Sequence, residues 1–438
     1  MNLATNTWMQ NIIVEERARL EQWRKAWDAY FGTFPQTLKM KAGQADDNVA
    51  VNYVRLIVDK GVAFLFGEKV QWELESETNE RTPAEMWIDE CVRLNGGQLL
   101  LQKLAVNGGV CGHAFLKIVP PKMAGGYPRL VNLSPEYVTV VSDPDDIDLV
   151  LRYIIEYPAR GPDGEPIAIK QTIERIEGDR WTVTDEVSRN GRQWETRQAI
   201  IWPWAWAPVV DCQNLPSPNE YYGLADVEED VLALNYAINF TLSNVQRIIR
   251  FHAHPKTYGT GFTGQQLKIG IDETIILPAN ATLANLEMQS DLTSSIAYYE
   301  RLKEALHETA HVPEVATGKL DSTGQLSGVA LRILYQPLLD RTEQKRLTYG
   351  AMLTELFRRL LDMAGYGADN LVTLHWPELV PTNRMEELQA ALLEKQLGTS
   401  DDTLLRELGR DPDAEREKRD ASGNDLGEQL LAAFDRGQ

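Results

Sequence analysis

A zinc-peptidase motif is the most prominent possible source of chemistry in this chain. His307, Glu308 and His311 belong to the sequence HETAH, which matches the pattern HExxH. On a continuous helix this spacing places both imidazoles on one face, where they can bind zinc while the glutamate acts as a general base. A zinc metallopeptidase is therefore the enzymatic alternative that the sequence raises.

The residues that follow the motif argue against a zinc site. Pro313 ends the helix two residues after His311, and no HxxGxxH continuation follows. A third ligand would have to be Glu343, Glu355 or His375, and none of them lies in a supporting pattern. We therefore expect no metal, and we expect two histidines near a helix C-terminus, where positive charge is favourable.

The remaining motifs also give no support to an enzyme. His252 and His254 alternate as they would on a strand, with no third ligand nearby. The glycine-rich GTGFTG lies between predicted strands and indicates a hairpin turn, and the chain has no Walker A, GxGxxG or GxSxG sequence in the required context. Three clustered indoles could stack on carbohydrate, although packing in a core or a subunit interface is the expectation for Trp202, Trp204 and Trp206. We expect no catalytic residue and no cofactor.

Composition limits the possible partners. The 438 residues include 44 basic and 64 acidic side chains, which gives a formal charge of −20. Tight binding to DNA along the whole surface needs basic patches, so the acidic balance disfavours it while still allowing DNA to pass without sticking. Cys91, Cys111 and Cys212 are expected to be reduced core thiols. The longest apolar run, near 199–210, is broken by prolines and is too short for a membrane span, so we expect no membrane contact.

Hydrophobic periodicity predicts a helix-rich α+β chain with one unusually long helix. Apolar residues recur every three or four positions from Val227 to Ile249, while Asn235, Asn239 and Ser243 form the opposite, polar face. The expected helices cover 8–31, 46–66, 83–94, 98–106, 225–250, 292–311 and 329–364, the expected strands lie between 114 and 204, and 251–288 is again strand-like. Pro337 is expected to kink the last long helix.

The order of these elements predicts an antiparallel helix pair that carries a hairpin module at its tip. Five blocks of sequence then indicate a family. They are DNVAVNYVRLIVDKGVAFLFGE (Asp47–Glu68), LSPEYVTVVSD (Leu133–Asp143), PVVDCQN with YYGLADVEEDVLALNYAINFTLSN, VPEVATG with LSGVALRILYQPL, and GTSDDTLLRELGRDPDAEREKRD (Gly398–Asp420). In this order, over nearly the whole chain, the blocks resemble the portal proteins of tailed double-stranded-DNA bacteriophages, specifically the siphophage type.

The resemblance implies a ring of about twelve subunits with a shared portal architecture. It assigns a wing to 1–222, stem helices to 223–250 and 289–312, a clip to 251–288, a tunnel loop to 313–327, a long kinked helix that returns to the wing to 328–382, and a crown to 383–438. The crown looks short beside the family pattern. The implied role is the head-to-tail connector at one capsid vertex, through which DNA is packaged and ejected.

The resemblance also implies partners and site residues. Double-stranded DNA would pass through the tunnel, and the terminase large subunit, a head-completion or adaptor protein, and the major capsid and scaffolding proteins would dock on the ring. The tunnel-loop residues expected near DNA are Lys319, Asp321, Ser322, Thr323 and Gln325, and the expected docking residues of the clip are Lys256, Tyr258, Phe262 and Lys268. The implied location is the virion, with the host cytoplasm during assembly.

Overall fold

A computed structural model describes most of the chain. The described residues are 4–40, 43, 46–74, 81–123, 125–177, 179–191, 193–253, 257–261, 280–285, 292–314, 328–367, 371–379, 391, 393–400, 403–405, 416 and 418. The chain divides into two compact units, Met1–Asp321 with Leu334–Pro377 and Ser322–Ile333 with Glu378–Gln438. In the described part of the chain, no helix is both long enough and apolar enough to cross a membrane.

The protein mixes helices and sheets, as the sequence predicts. The helices are α1 (Ala4–Tyr30), α2 (Tyr53–Phe66), α3 (Pro83–Leu94), α4 (Gln98–Cys111), α5 (Glu229–Ala253), α6 (Leu292–Thr309) and α7 (Gly328–Ala364), with a short 3₁₀ turn at Pro135–Tyr137. The strands are β1 (Gln71–Leu74), β2 (His113–Val119), β3 (Arg129–Leu133), β4 (Val138–Ser142), β5 (Val150–Arg160), β6 (Pro166–Ile176), β7 (Arg180–Ser188), β8 (Glu195–Trp202), β9 (Val209–Gln213), β10 (Thr257–Thr260), β11 (Thr282–Asn285) and β12 (Val372–His375).

In the part of the chain that the structure describes, all strand pairs are antiparallel. Five strands form one sheet in the order β4-β5-β6-β7-β8, a meander in which each strand pairs with the next along the chain. Three strands form a second sheet in the order β3-β2-β9. Two ribbons, β1-β12 and β10-β11, complete the described strands. Alternating hydrophobic patterns predicted the strands from β2 to β8 at nearly their observed bounds.

The core forms where α2, α4 and α7 bury apolar faces. In α2 the buried side chains recur every three or four residues, which is the period of one helix face. The second half of α7 adds a long buried row, which consists of Tyr349, Met352, Leu353, Leu356, Phe357, Leu360 and Leu361. The three tryptophans of the sequence cluster, Trp202, Trp204 and Trp206, pack on one another here, which confirms packing over carbohydrate stacking.

Local signals fix the ends of the early helices. Thr82 caps α3 through a complete capping box with Glu85, and Pro83 occupies its first turn. Two hydrogen bonds from backbone N–H groups, those of Leu74 and Thr82, hold the pKa of the Glu85 carboxyl below its usual value although burial pushes that pKa upward. Gly112 ends α4 in the left-handed conformation.

Some elements differ from the prediction, and among them α4 continues to Cys111 instead of ending at 106. The helix expected over 46–66 begins only at Tyr53, and the residues before it are extended. The long helix begins at Glu229 instead of 225 and continues to Ala253, so His252 lies in a helix and not on a strand. The ribbon β1-β12 was not predicted, because its two short strands are almost 300 residues apart in sequence.

The helix predicted over 329–364 is confirmed, and it spans 37 residues. Pro337 lies inside α7 without ending it, and its side chain is exposed. Proline removes one backbone hydrogen bond from the helix interior, so the kink expected at this residue remains a prediction. The three cysteines are free and buried, as predicted.

The second unit is described only in short stretches. They include helical residues 393–397 and a turn in which the Thr403 N–H donates to the Ser400 hydroxyl oxygen at 3.2 Å. This is the geometry of an N-cap.

Gly112 should be the least replaceable of the left-handed glycines. Its φ is +79°, and an added Cβ would lie 2.2 Å from the Gly223 carbonyl oxygen. Gly164 has nearly the same φ, +82°, but an added Cβ would meet nothing within 4 Å. We expect Gly164→Ala to cost about 1–2 kcal/mol of unfolding free energy for the backbone alone, and Gly112→Ala to cost about 1–3 kcal/mol more because the backbone at Gly223 must move.

Urea unfolding followed by circular dichroism measures both variants. Equal losses in Gly112→Ala and Gly164→Ala would contradict the close approach of Gly112 to Gly223.

Candidate functional site: an anchored pair of helices

The guanidinium of Arg341 joins the start of α5 to the end of α6, the two helices of the predicted antiparallel pair. Arg341 on α7 donates from Nη1 to the Ala310 carbonyl, just after α6, at 2.8 Å, and from Nη2 to the Ala225 carbonyl, just before α5, at 3.3 Å. The start of α5 therefore lies beside the end of α6, and the pair is antiparallel as predicted. A cation at the C-terminal end of α6 also satisfies exposed carbonyls and the helix dipole.

A buried ion pair anchors the start of α5. Asp226 and Lys345 meet at 2.6 Å, and their side chains are only 3% and 4% exposed. Asn214 donates to Oδ1 of the Asp226 carboxylate at 3.2 Å and accepts from the Tyr349 hydroxyl at 3.2 Å. Burial lowers the pKa of Lys345, and the charge of Asp226 opposes that shift.

Glycines on two other helices make room for this anchor. A Cβ added at Gly61 on α2 or at Gly109 on α4 would lie 2.8 or 2.9 Å from the Asp226 carboxylate. At Gly108 it would lie 2.0 Å from the Tyr349 hydroxyl. The Asp226 N–H also donates to the Gly109 carbonyl at 2.8 Å. The helix expected over 225–250 would have included Asp226, and this was wrong because Asp226 precedes α5 and is buried.

The polar face of α5 is buried inside its own chain. Asn239 accepts from the Val51 N–H at 2.8 Å, and Asn235 accepts from the Tyr53 N–H at 2.9 Å and donates to the Val51 carbonyl at 3.1 Å. Ser243 donates to the Asn239 carbonyl on its own helix at 2.7 Å. These amides satisfy an extended backbone as a neighbouring strand would, which explains why the residues before α2 are not helical.

The last turns of α5 are tied to the same extended segment. Asp47, whose side chain is 3% exposed, contacts Arg250 at 2.6 Å and Arg247 at 3.3 Å. A buried carboxylate with two guanidiniums is a paired charge, and the two cations also lie near the C-terminus of the helix, where they are favourable. The extended segment is thus fixed along nearly the whole length of α5.

The HETAH motif does not form a metal-binding face. His307 is buried, and its Nδ1 lies 2.7 Å from the Val312 carbonyl oxygen. The helix ends at Thr309, and His311 follows with a positive φ of 56°, so the two histidines do not share a helical turn. Burial and then the nearby charge of Arg341 lower the pKa of His311.

The possible third ligands are engaged elsewhere. Glu343 pairs with Arg346 at 3.2 Å, and His375 pairs with Glu73 at 2.9 Å. Glu355 is held by two arginines, Arg358 and Arg359, each at 2.6 Å. Within the described residues, no three His, Cys, Asp or Glu side chains lie close enough together to hold a metal ion. The peptidase alternative gains no support from this geometry.

A polar cluster that sequence patterns missed joins the three-stranded sheet to the five-stranded sheet. Asp211 on β9 accepts from the hydroxyls of Tyr153 at 2.8 Å and Tyr221 at 2.5 Å, and it lies 2.9 Å from Nε2 of His113. Burial pushes the pKa of Asp211 up, but these hydrogen bonds and the histidine hold it below its usual value. The cluster borders an open cleft of about 780 Å³ and ties β2, β5 and β9 together.

Of the site residues predicted from the sequence, the structure describes Tyr258 alone. It lies on β10, opposite Ala284 of β11, and is 55% exposed. Lys256, Phe262 and Lys268 lie outside the described residues. So do all the tunnel-loop residues, Lys319, Asp321, Ser322, Thr323 and Gln325. His254 of the histidine pair is also outside them.

Comparison with known proteins identifies the class of protein to which the chain belongs. A family model described as "Phage portal protein, SPP1 Gp6-like" matches residues 8–425, which is nearly the whole chain. Such proteins are structural parts of a virion that connect head and tail, and they are not an enzyme family. The chain belongs to this phage portal protein family. No curated protein matches the sequence.

Solved structures give weaker similarities. The neck of an empty gene transfer agent (GTA) particle computed with C6 symmetry matches with a TM-score of 0.47 at 16% identity, over 82% of this chain and 88% of that chain. The virion of a native GTA particle matches with a TM-score of 0.46 at 15% identity, over 85% of this chain and 96% of that chain. The neck of a native GTA particle computed with C12 symmetry matches with a TM-score of 0.47 at 14% identity, over 82% of this chain and 88% of that chain.

The buried pair should dominate the stability of this site. Lys345→Met leaves Asp226 charged and without its cation, and we expect a loss of about 3–5 kcal/mol of unfolding free energy. In the double variant Asp226→Asn with Lys345→Met the uncompensated charge is gone, so the loss should be smaller than in the single variant. Arg93→Met breaks an exposed pair with Glu90, which solvent screens, and should leave the free energy of unfolding nearly unchanged.

Chemical unfolding of the three variants beside the wild type measures these differences. A single Lys345→Met variant that unfolds with the wild type would show that the pair does not anchor α5.

Proposed function

We propose that this chain assembles into a closed ring of about twelve subunits at one capsid vertex, through which double-stranded DNA enters and leaves. The observation that carries the proposal is the family match over residues 8–425. The anchored helix pair supports it, since a channel wall needs helices whose position does not drift. The ring is not an enzyme in this proposal, and it uses no metal or cofactor.

The segments receive their roles by position in the family order. We assign the wing to 1–222, the stem to 223–250 and 289–312, the clip to 251–288, the tunnel loop to 313–327, the long kinked helix to 328–382 and the crown to 383–438. Helix α5 has 25 residues and so extends about 38 Å, which is long for a globular protein. The ribbon β10-β11 lies between α5 and α6 in sequence, which supports its role as the projecting clip.

The exposed side of α5 supports contact with another subunit. Tyr236 and Phe240 lie one turn apart, and both side chains are exposed although they are large and aromatic. The polar side of the same helix is buried within the chain, as described above. A neighbouring subunit in a ring would therefore meet aromatic side chains, and such residues are enriched at protein interfaces.

The negative charge of the chain favours a surface along which DNA slides instead of one to which it binds. Each subunit carries a formal charge of −20, so a ring multiplies an acidic field that does not release counterions from phosphate. We propose that the loop residues Lys319, Asp321, Ser322, Thr323 and Gln325 meet the duplex weakly. One lysine per subunit beside an acid and small polar side chains would contact phosphate briefly and let it go.

The proposed partners follow from the same roles. The terminase large subunit would dock on the clip during packaging and a head-completion protein afterwards, through the exposed Tyr258 together with Lys256, Phe262 and Lys268. The major capsid and scaffolding proteins would surround the wing and crown. The ring would reside in the virion, and in the host cytoplasm during assembly, without membrane contact.

Assembly is the first test of the proposal. The purified full-length chain should form one closed species of about twelve subunits at micromolar concentration. Native mass spectrometry gives the subunit number, and electron micrographs viewed down the axis show whether the ring is closed. A stable monomer or dimer under moderate salt would refute the proposal.

Packaging into proheads tests the loop and the clip together. Replacing Ser322 and Thr323 by tryptophan should leave rings intact but slow DNA passage or alter its retention, because bulky side chains narrow a polar tunnel.

Deleting 257–264 should also leave rings intact but abolish packaging, because the terminase loses its docking module. Ring formation is checked separately for each variant by native mass spectrometry. Normal packaging by either variant would contradict the role assigned to that segment.

A further inference from the structure

Free strand edges are usually protected, because unpaired backbone groups invite another strand to pair with them. In this protein, side chains from the same chain protect four of the edges. The protecting contacts are Asn95 Oδ1 with Leu130 N on β3 at 2.8 Å, Arg359 Nη1 with Val209 O on β9 at 2.6 Å, Tyr222 OH with Val140 N on β4 at 3.3 Å, and Glu85 Oε1 with Leu74 N on β1 at 2.8 Å.

Strand β8 lacks such protection. Its backbone pairs with β7 on one side, and no described residue bonds its other side. Every residue from Glu195 to Ile201 is exposed, so both faces of the strand are open as well as its edge. The strand contains no lysine and no proline, and its charged residues, Glu195 and Arg197, lie in its first half. Ile200 and Ile201 are exposed instead, Ile201 by 64%.

Strand β12 is the second open edge. It pairs with β1 on one side, and no described residue bonds the backbone of its other side. Leu371, directly before the strand, is 66% exposed. Leaving aside the ribbon β10-β11, β8 and β12 are thus two unprotected edges on one chain, and each has a strongly exposed aliphatic side chain next to it.

Two different open edges on one chain suit a head-to-tail contact between copies. A contact of β8 with β8 would be the same patch on both subunits and would close as a dimer, whereas two unlike edges repeat around a ring. We propose that β8 of one subunit pairs with β12 of the next, with Ile201 packed near Leu371 of that neighbour. This inference rests on the proposed ring and adds the strands that join its subunits.

A paired cysteine experiment tests the contact in the assembled full-length protein. The variant with both Ile201→Cys and Leu371→Cys should give, on mild oxidation, a ladder of covalent oligomers on a non-reducing gel. Each single variant should give none. The three native cysteines are buried and free, so they provide a low background.

Charge at the same positions gives an independent test. Ile201→Lys and Leu371→Lys should each raise the concentration needed for half-assembly by about tenfold or more, because a lysine must be buried at the contact. Met123→Lys, at a residue between β2 and β3 that is 79% exposed, should leave assembly unchanged. Circular dichroism confirms that all three variants fold.

The outcomes separate this inference from the proposed function. Intact rings that give no ladder, and that tolerate Ile201→Lys and Leu371→Lys, would overturn the β8–β12 contact and leave the ring standing. Covalent dimers from Ile201→Cys alone would replace the contact with a β8–β8 pair. Failure of the wild-type protein to form rings would refute the proposed function itself, and the cysteine pair would then be judged by whether open head-to-tail chains form.

Discussion

The buried pair of Asp226 and Lys345 is the constraint on which the architecture depends. Removing two charges from water costs several kcal/mol for each ion, so such a pair persists only when its geometry and its other hydrogen bonds are satisfied. Asn214 supplies such a bond to the carboxylate and is itself held by the Tyr349 hydroxyl, and glycines on α2 and α4 leave space for the carboxylate. Four helices and the strand before α5 must therefore meet at one point. A small shift of any of them would leave a charge buried without its partner.

The same solution recurs along α5, where amide and hydroxyl side chains take the place of a neighbouring strand. Asn235 and Asn239 bond the backbone before α2, and Asp47 holds the last turns through Arg247 and Arg250. Directional bonds fix rotation and position along the helix axis, whereas apolar contacts alone permit sliding. In the proposed ring α5 would have to keep one face toward the axis, and this polar seam would fix which face that is.

The acidic composition and the family role fit one physical picture. A wall with a net charge of the same sign as DNA does not bind the duplex, so it suits a passage and not a reader of sequence. The exposed aromatic pair on α5 and the open edges of β8 and β12 are, in contrast, the surfaces on which a second subunit could be bound. In the proposed ring the protein would thus separate a surface that repels DNA from surfaces that bind its own copies.

Local periodicity in the sequence determined most helices and strands, because period 2 and period 3.6 are properties of neighbouring residues. It predicted β2 to β8, α6 and α7, and the ordered blocks indicated the family. Only the tertiary structure placed Asp226 beside Lys345, which is 119 residues away, extended the segment before α2 through bonds from Asn235, and paired β1 with β12. Those contacts join distant segments, and no local pattern encodes the partner of a buried charge or of an extended backbone.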